Sequence, residues 1–386
     1  MRVDYCRACL ARGLIHLYDF GSQPLAGHYP LEPESVVPAQ RYPLELMRCS
    51  QCGLMQIVNL PPIDQVFHAD YRYSSSTVPG LVRHFEEYAQ WLQTRLRPGS
   101  RVLEFGCNDG VLLERLSKLG FDCTGVDASD NIAALARAKG LVVETGFFDE
   151  EMVQRKHLAG RYDLVTCSNV FAHIHNVRQT LTAVRQALTP GGLFCIEVHD
   201  GDLLVSEQQF DTIYHEHLTY FTADSLGRLL EFNGFETVCV QKTAMHGGGL
   251  RYLARRREAE SSLTSASAVL APPSDFVTLA VERCRRELNE LQRQFGPLVG
   301  YGAAGRSQMF INFTGTQRLF ECVYDDSPLR QGRYIAASDI PIRAYKGEMG
   351  GCAVILAWNY AADITQRIQG RFERIATLLP ASRTWS

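Results

Sequence analysis

Val102-Leu103-Glu104-Phe105-Gly106-Cys107-Asn108-Asp109-Gly110 is the stretch on which the reading of this chain turns. An apolar run closed by an acid opens into two glycines with polar residues between them, and Val111-Leu112-Leu113-Glu114-Arg115-Leu116 then reads as helix. Glycine permits a sharp turn and a close approach of backbone to ligand, and amides at the helix start can face that ligand. The glycine spacing is G-x-x-x-G, so the dinucleotide fingerprint G-x-G-x-x-G is not met. The run is expected to be the first strand of a doubly wound sheet with its binding turn. Such turns also occur without a ligand, so the neighbouring elements decide.

Working outward, Phe121-Asp122-Cys123-Thr124-Gly125-Val126-Asp127 reads as a second strand, ending in an acid about 20 residues beyond the glycine turn, where a carboxylate can accept ribose hydroxyls. Capping the next helix, over 133–138, is the other use of such an acid, and Ser129 or Asp130 suits it better. Gly146-Phe147-Phe148-Asp149 follows a third strand over 141–145 and is expected to set the Phe148 ring and an acid near an adenine. Tyr162-Asp163-Leu164-Val165-Thr166-Cys167-Ser168-Asn169 reads as a fourth strand with Asn169 at its ligand-side end. Val170-Phe171-Ala172-His173-Ile174-His175 opens a helix that Thr189-Pro190-Gly191-Gly192 stops, and a fifth strand runs over 193–198. This order of parts, with an acid ahead of G-x-x-x-G, resembles the core of class I S-adenosylmethionine (SAM) methyltransferases. The resemblance implies Glu104, Gly106, Asn108, Asp109, Gly110, Asp127, Phe148 and Asn169 as cofactor-binding residues.

The 386 residues exceed one ordinary core, and two or three domains are expected. With 46% hydrophobic and 21% charged residues the composition is that of a soluble globular protein. A net charge of -3 with interspersed signs leaves no footprint for nucleic acid or an anionic membrane, which points to a small-molecule ligand. Met1-Arg2-Val3-Asp4-Tyr5-Cys6 lacks a secretory h-region and no run approaches a membrane span, so a cytoplasmic location is expected. Cys167, Cys195 and Cys352, inside apolar runs, read as reduced core thiols.

Cys6-x-x-Cys9 and Cys49-x-x-Cys52 form two knuckles that together supply four thiolates for tetrahedral zinc. A closed all-thiolate set leaves no position for water, so the zinc is expected to be structural. Pro24, Pro30, Pro33, Pro38 and Pro43 disfavour long helices between the knuckles. Phe67-His68-Ala69-Asp70-Tyr71-Arg72-Tyr73-Ser74-Ser75-Ser76 follows, either a polar linker or a loop closing over a cofactor, ahead of an amphipathic helix over 84–96.

Asp211-Thr212-Ile213-Tyr214-His215-Glu216-His217-Leu218-Thr219-Tyr220-Phe221 packs a phenol, a carboxylate and two imidazoles into four consecutive positions. Imidazole titrates near neutrality and a neighbouring carboxylate can fix its tautomer, so the run reads as proton-transfer equipment, with structural polar packing as the other reading. Metal binding is disfavoured because adjacent ligands do not share a helical face and H-E-x-x-H is absent. Downstream, a Ser/Ala-rich run over 261–271 and Pro272-Pro273 read as a linker, and 275–295 reads as a long charged helix. Leu298-Val299-Gly300-Tyr301-Gly302-Ala303-Ala304-Gly305-Arg306-Ser307 is a second strand-turn-helix, either a phosphate-binding turn with Arg306 for a diphosphate or a turn that only packs. Strands over 322–324 and 353–358 continue the pattern.

With these residues in view, the chain resembles, over nearly its whole length, the C-methyltransferases of nucleotide-linked ketodeoxysugars. The resemblance rests on Cys6, Cys9, Cys49 and Cys52, on Glu104-Phe105-Gly106-Cys107-Asn108-Asp109-Gly110, on Tyr214-His215-Glu216-His217, on Tyr71 through Ser75, on His173, and on His246-Gly247-Gly248. It implies an α/β fold with a small zinc module over 1–70, a class I methyltransferase Rossmann-like domain over 71–250 and a second Rossmann-like domain over 251–386. It also implies His217 as general base, Glu216 orienting it, and Tyr214, His173 and Tyr73 bonding the enolate or a neighbouring hydroxyl. The base itself stays open between His217 and Tyr214. Ser75 is implied at the cofactor, and His246, Gly302, Arg306 and Asp325 at a nucleotide-sugar substrate. Departures at Arg306 and at Ala337-Ser338 leave the nucleotide, or the carrier, open. The expectation is a SAM-dependent enzyme with structural zinc, monomeric or weakly dimeric, acting on a small molecule. A different acceptor and a non-catalytic SAM-binding scaffold are the alternatives.

Overall fold

The computed structural model describes residues 2–66, 75–77, 79–257 and 275–385. Tyr73 and the expected linker over 261–271 therefore lie outside the described residues. Near the N-terminus β1 (Leu14–Gln23), β2 (Tyr42–Cys49) and β3 (Met55–Ile57) form an antiparallel meander. The proline-rich connection between β1 and β2 contains no helix, because each proline removes a donor and restricts its predecessor.

The central sheet is built from β4 (Arg101–Phe105), β5 (Asp122–Asp127), β6 (Val142–Thr145), β7 (Tyr162–Ser168) and β8 (Leu188–His199). After it β9 (Thr219–Tyr220) leaves to pair with β3, and β10 (Phe235–Thr243) and β11 (Gly249–Arg256) complete the sheet. Its order is β10-β11-β8-β7-β4-β5-β6, with β4 to β8 parallel and β11 antiparallel to β8. Chain direction across the sheet reverses beside β4, which has β5 on one side and β7 on the other. Ligands of open α/β sheets bind at this switch point, beyond the carboxyl ends of the strands, and the 106–110 turn emerges there.

The last unit holds β12 (Leu298–Tyr301), β13 (Phe320–Tyr324), β14 (Ile342–Arg343), β15 (Gly350–Ile355), β16 (Phe372–Thr377) and β17 (Arg383–Trp385) in the order β14-β13-β12-β15-β16-β17, parallel except at β17. The helix Phe276–Phe295 leads into it.

Four expectations are corrected. The first amphipathic helix is Pro79–Gln93, because proline suits a first turn and its burial begins with Leu81. Residues 171–173 form one short 3-10 turn, and the helix Val177–Ala187 starts only where the Asn176 side chain accepts the Gln179 amide. The Thr189-Pro190-Gly191-Gly192 turn sits inside β8 as an irregularity in its pairing with β7. Strand β11 carries the central sheet past residue 250, to Arg256.

The N-terminal meander and the C-terminal unit share one core: Leu44, Leu46 and Ile57 cluster with Phe210, Ile213, Val277, Phe310 and Val323. Phe20 meets Phe313 with ring centroids 4.4 Å apart, and Phe210 stacks on Phe310 at 5.9 Å. The 210–220 segment of the central unit is thus buried between the other two.

Candidate active site

A cavity opens at the switch point, lined by Ser75, Glu104, Gly106, Asn108, Asn169 and His246 among others. Gly106 has φ +64°, and a Cβ there would lie 2.2 Å from Val170 Cγ2, so only glycine fits. The turn is locked from below by β5: the Asn108 amide donates to Asp127 Oδ2 at 2.8 Å, and the Ser129 amide to Asp127 Oδ1 at 2.9 Å. From above, the Ser75 amide donates to Asn108 Oδ1 at 2.9 Å, and the Ser76 amide to Asp109 Oδ2 at 3.2 Å. Of the hydroxyl-rich segment, Ser75 and Ser76 are described, and both bond this turn. The Lys139 ammonium reaches the Asp109 carbonyl at 2.6 Å and holds the turn's far side.

Glu104 is buried at the end of β4, and its Oε2 has no hydrogen-bond partner. Burial first, then Asp127 and Asp109, pushes its carboxyl well above the usual carboxylate range. A buried acid without a partner is costly unless a ligand supplies a donor or cation, and the ammonium of SAM is such a group. Ser168 Oγ, also on this cavity, is likewise buried and unpartnered. The donor set fits the cofactor. Phe148 is not among the residues lining this cavity and stacks on Phe105 at 4.9 Å. Leu81 and Phe85, from a helix whose start the sequence pattern did not show, supply apolar lining instead.

The expected catalytic stretch sits between all three units. The His217 Nδ1 lies 2.9 Å from the Thr212 carbonyl, and its Nε2 lies 3.0 Å from the Tyr214 hydroxyl. A carbonyl only accepts, so this contact assigns the proton to Nδ1 and leaves Nε2 as the basic nitrogen. Burial, and next the neighbouring His173, holds the His217 imidazole well below its usual range and therefore neutral. His173 packs edge-on at 4.9 Å between centroids and is itself pushed down to about 4 by burial. Two further half-buried imidazoles, His199 at about 3 and His246 at about 4, are depressed first by desolvation and then by the Arg306 cation.

Glu216 does not orient His217. Its Oε1 accepts the Gly27 amide at 3.0 Å, joining the stretch to the N-terminal module, and its Oε2 is buried without a partner. The orienting group is the Thr212 carbonyl, which has no residue-type signature. His215, in the same run, bonds the Pro43 carbonyl at 3.2 Å.

The second glycine turn repeats the first in its bonding. Gly106 and Gly302 each donate 2.7 Å to a carbonyl at the end of the neighbouring strand, from Val126 and Tyr324. Asp325 accepts the Ala303 amide at 2.6 Å and the Ser327 amide at 2.8 Å, as Asp127 does in the first turn. The mouths differ. A Cβ on Gly302 would lie 2.4 Å from Ala357 Cβ, and one on Gly305 3.3 Å from the Ala26 carbonyl oxygen, so the chain itself covers the helix start. Arg306 is not free for a diphosphate either: it pairs with Asp211 and donates to the His246 carbonyl. Of the four residues expected at the substrate, His246 lines the cavity at the switch point.

Two Cys-x-x-Cys turns bring Cys6, Cys9, Cys49 and Cys52 together with all four sulfurs within 4.8 Å of one another. The residue after each knuckle, Leu10 (φ +64°) and Gly53 (φ +77°), takes the left-handed conformation that closes the turn. Backbone amides of Gln51 and Cys52 point at Cys49 Sγ at 3.4 and 3.5 Å. Four converging thiols with amide donors suit a tetrahedral zinc thiolate site.

Three family models match the chain in succession: a zinc binding domain over residues 6–67, a methyltransferase domain over 81–240 and a C-methyltransferase C-terminal domain over 244–379. C-methyltransferase NovU of Streptomyces niveus is 31% identical over 387 residues, covering 94% of this chain and 91% of that protein. The ubiquinone biosynthesis O-methyltransferase of Aromatoleum aromaticum is 34% identical over 98 residues, 24% of this chain and 42% of its own length. Among solved structures, magnesium protoporphyrin IX methyltransferase from Synechocystis PCC 6803 aligns with TM-score 0.38 at 19% identity, over 46% of this chain and 84% of its own. Among the described residues no helix is long and apolar enough to cross a membrane. With a match that spans nearly the full length, three domain models in register and the cavity built as above, the chain belongs to the sugar C-methyltransferase family.

Proposed function

We propose that this enzyme methylates the carbon beside the ketone of a nucleotide-linked 4-keto-6-deoxysugar, dTDP-linked in the first instance, in a natural-product pathway. The observation that carries the reading is the Tyr214–His217 pair: an imidazole held neutral, its tautomer set by Thr212, and its basic nitrogen bonded to a phenol. A hydrogen next to a ketone is acidic enough for such a base only when the developing enolate oxygen meets placed donors. His217 takes that proton on Nε2, directly or through the Tyr214 hydroxyl, and His173 lies close enough to contribute to the oxyanion's surroundings. Glu104, Asn108, Asp127 and Ser168 would hold SAM, which would supply an electrophilic methyl on its sulfonium sulfur. Asn169 and Ser75 wall the same cavity.

The acceptor's route is a cleft of about 510 Å³ between the helix Pro79–Gln93, the β10–β11 hairpin and residues 359–363. His246 lines both this cleft and the cofactor cavity. Arg83 on its wall suits a phosphate, beside Lys242, which also pairs with Asp200 at 3.4 Å, and the acids Glu87 and Asp363; unlike the Gly302–Asp325 turn, this cleft is open. That covered turn also favours a second reading, an acceptor without a nucleotide. The test is release of S-adenosylhomocysteine with a panel of dTDP- and UDP-linked 4-keto- and 3-keto-6-deoxysugars and their reduced alcohols. Turnover confined to ketones supports the proposal; turnover with none of the nucleotide sugars, while SAM still binds, moves the assignment to the second reading.

A further inference from the structure

The C-terminal unit reaches the candidate base through one buried carboxylate. Asp211 is 1% exposed and lies in the short turn Phe210–Thr212. Arg306 grips it with both arms, Nε to Oδ2 at 3.1 Å and Nη2 to Oδ1 at 3.0 Å, and the Trp358 indole donates to Oδ2 at 2.9 Å. Three donors on one buried carboxylate, two of them in a charge-assisted fork, make a stiff joint. The next residue is Thr212, whose carbonyl holds His217 Nδ1.

The same two side chains also hold the His246–Gly247 backbone. Arg306 Nη1 donates to the His246 carbonyl at 2.7 Å. His246 has φ +53°, a conformation that persists in a non-glycine residue only where its surroundings impose it. The indole of Trp358 presses on the next residue so closely that a Cβ on Gly247 would lie 2.1 Å from it. The guanidinium and indole also lie against each other, 4.5 Å from Cζ to ring centroid.

We propose that Arg306 and Trp358 are positioning residues of the methyl transfer, bracing the turn that orients His217 and the His246 wall of the cofactor cavity as one body. They need not touch substrate or cofactor; their effect passes through Asp211, Thr212 and His246. The inference rests on the proposed function only in taking His217 as the base.

The test uses the full-length, zinc-loaded protein in three variants. Arg306→Lys keeps the charge but cannot span both Asp211 oxygens and the His246 carbonyl. Trp358→Phe keeps the ring and deletes one donor, and Asp211→Asn keeps an acceptor while removing the charge. Imidazole nitrogen NMR, with His217 assigned by its absence in His217→Asn, reads the tautomer without any acceptor present, and calorimetry reads SAM affinity. The expected result is a fall in the Nδ1-protonated population of His217 in all three variants, with SAM binding weakened several-fold in Arg306→Lys and thermal midpoints within a few degrees of the parent. Unchanged His217 signals and unchanged SAM affinity in the folded variants overturn the brace. A variant that does not fold is replaced by the milder Trp358→Phe, whose NMR spectrum decides alone. Because neither readout uses a sugar, a failed acceptor assignment leaves this result intact and is seen separately.

Discussion

The Tyr214 hydroxyl stands 3.0 Å from Nε2 of His217, and the Thr212 carbonyl stands 2.9 Å from Nδ1 of the same ring. These two contacts order the chemistry, since one fixes where the proton is and the other marks where a proton can be received.

His217→Ala is expected to keep SAM binding and lose turnover by roughly the 10²–10⁴-fold that general base catalysis contributes. Tyr214→Phe keeps the ring and removes the relay hydroxyl, so its turnover is expected to fall less. Calorimetry for SAM beside steady-state kinetics checks both. A His217→Ala protein that turns over normally would remove the base assignment.

The pH behaviour follows from half-buried neutral imidazoles. His173, His199, His217 and His246 are all depressed below the ordinary value, chiefly by burial. Below about pH 6.5 the unfolded chain binds protons that the folded chain refuses, so folding stability is complete above that pH and is lost as pH falls toward the folded values. The acid limb of kcat/KM for the base is expected below the ordinary imidazole range for the same reason. Thermal melts and rate profiles from pH 8 to about 4 test both signs.

Glu104→Gln is expected to weaken SAM binding about 10- to 100-fold, the scale of a lost charge-assisted bond at a buried carboxylate. Calorimetry reads it. Equal affinity in the variant would show that the unpartnered Oε2 does not meet the cofactor's ammonium.

Zinc removal is expected to reach the catalytic stretch. Strand β3 begins three residues after Cys52 and pairs with β9, which begins two residues after His217, so loss of the knuckles loosens the pairing of Met55 with Tyr220. Cys49→Ser or a strong chelator should lower the melting temperature and activity together, with metal analysis following the loss. Full activity in a metal-free protein would contradict this coupling.

Much of this was legible in the residues themselves. Two Cys-x-x-Cys pairs, an acid before G-x-x-x-G and an acid closing the next strand are readable in residue type and spacing: the four cysteines converge, and Glu104 and Asp127 stand at the ends of β4 and β5. What was not legible depends on contacts between units or on backbone atoms. Arg306 reads as an anion ligand until Asp211, far away in sequence, is seen to take it. Phe148 reads as an adenine neighbour, and its stack on Phe105 is visible only in the fold. A carbonyl such as that of Thr212 has no signature at all, so the orienting role fell to the adjacent Glu216. The Gly302 turn has the right glycines and the right aspartate, and only the packing of Ala357 and Ala26 shows that its mouth is covered.

The position of the transferred methyl tests the central claim most directly. With carbon-13-methyl SAM and an accepted dTDP-4-keto-6-deoxysugar, NMR of the isolated product is expected to show the label bonded to the ring carbon beside the ketone, with none formed by His217→Ala. A label on oxygen, or a carbon-methylated product formed equally by His217→Ala, would contradict it.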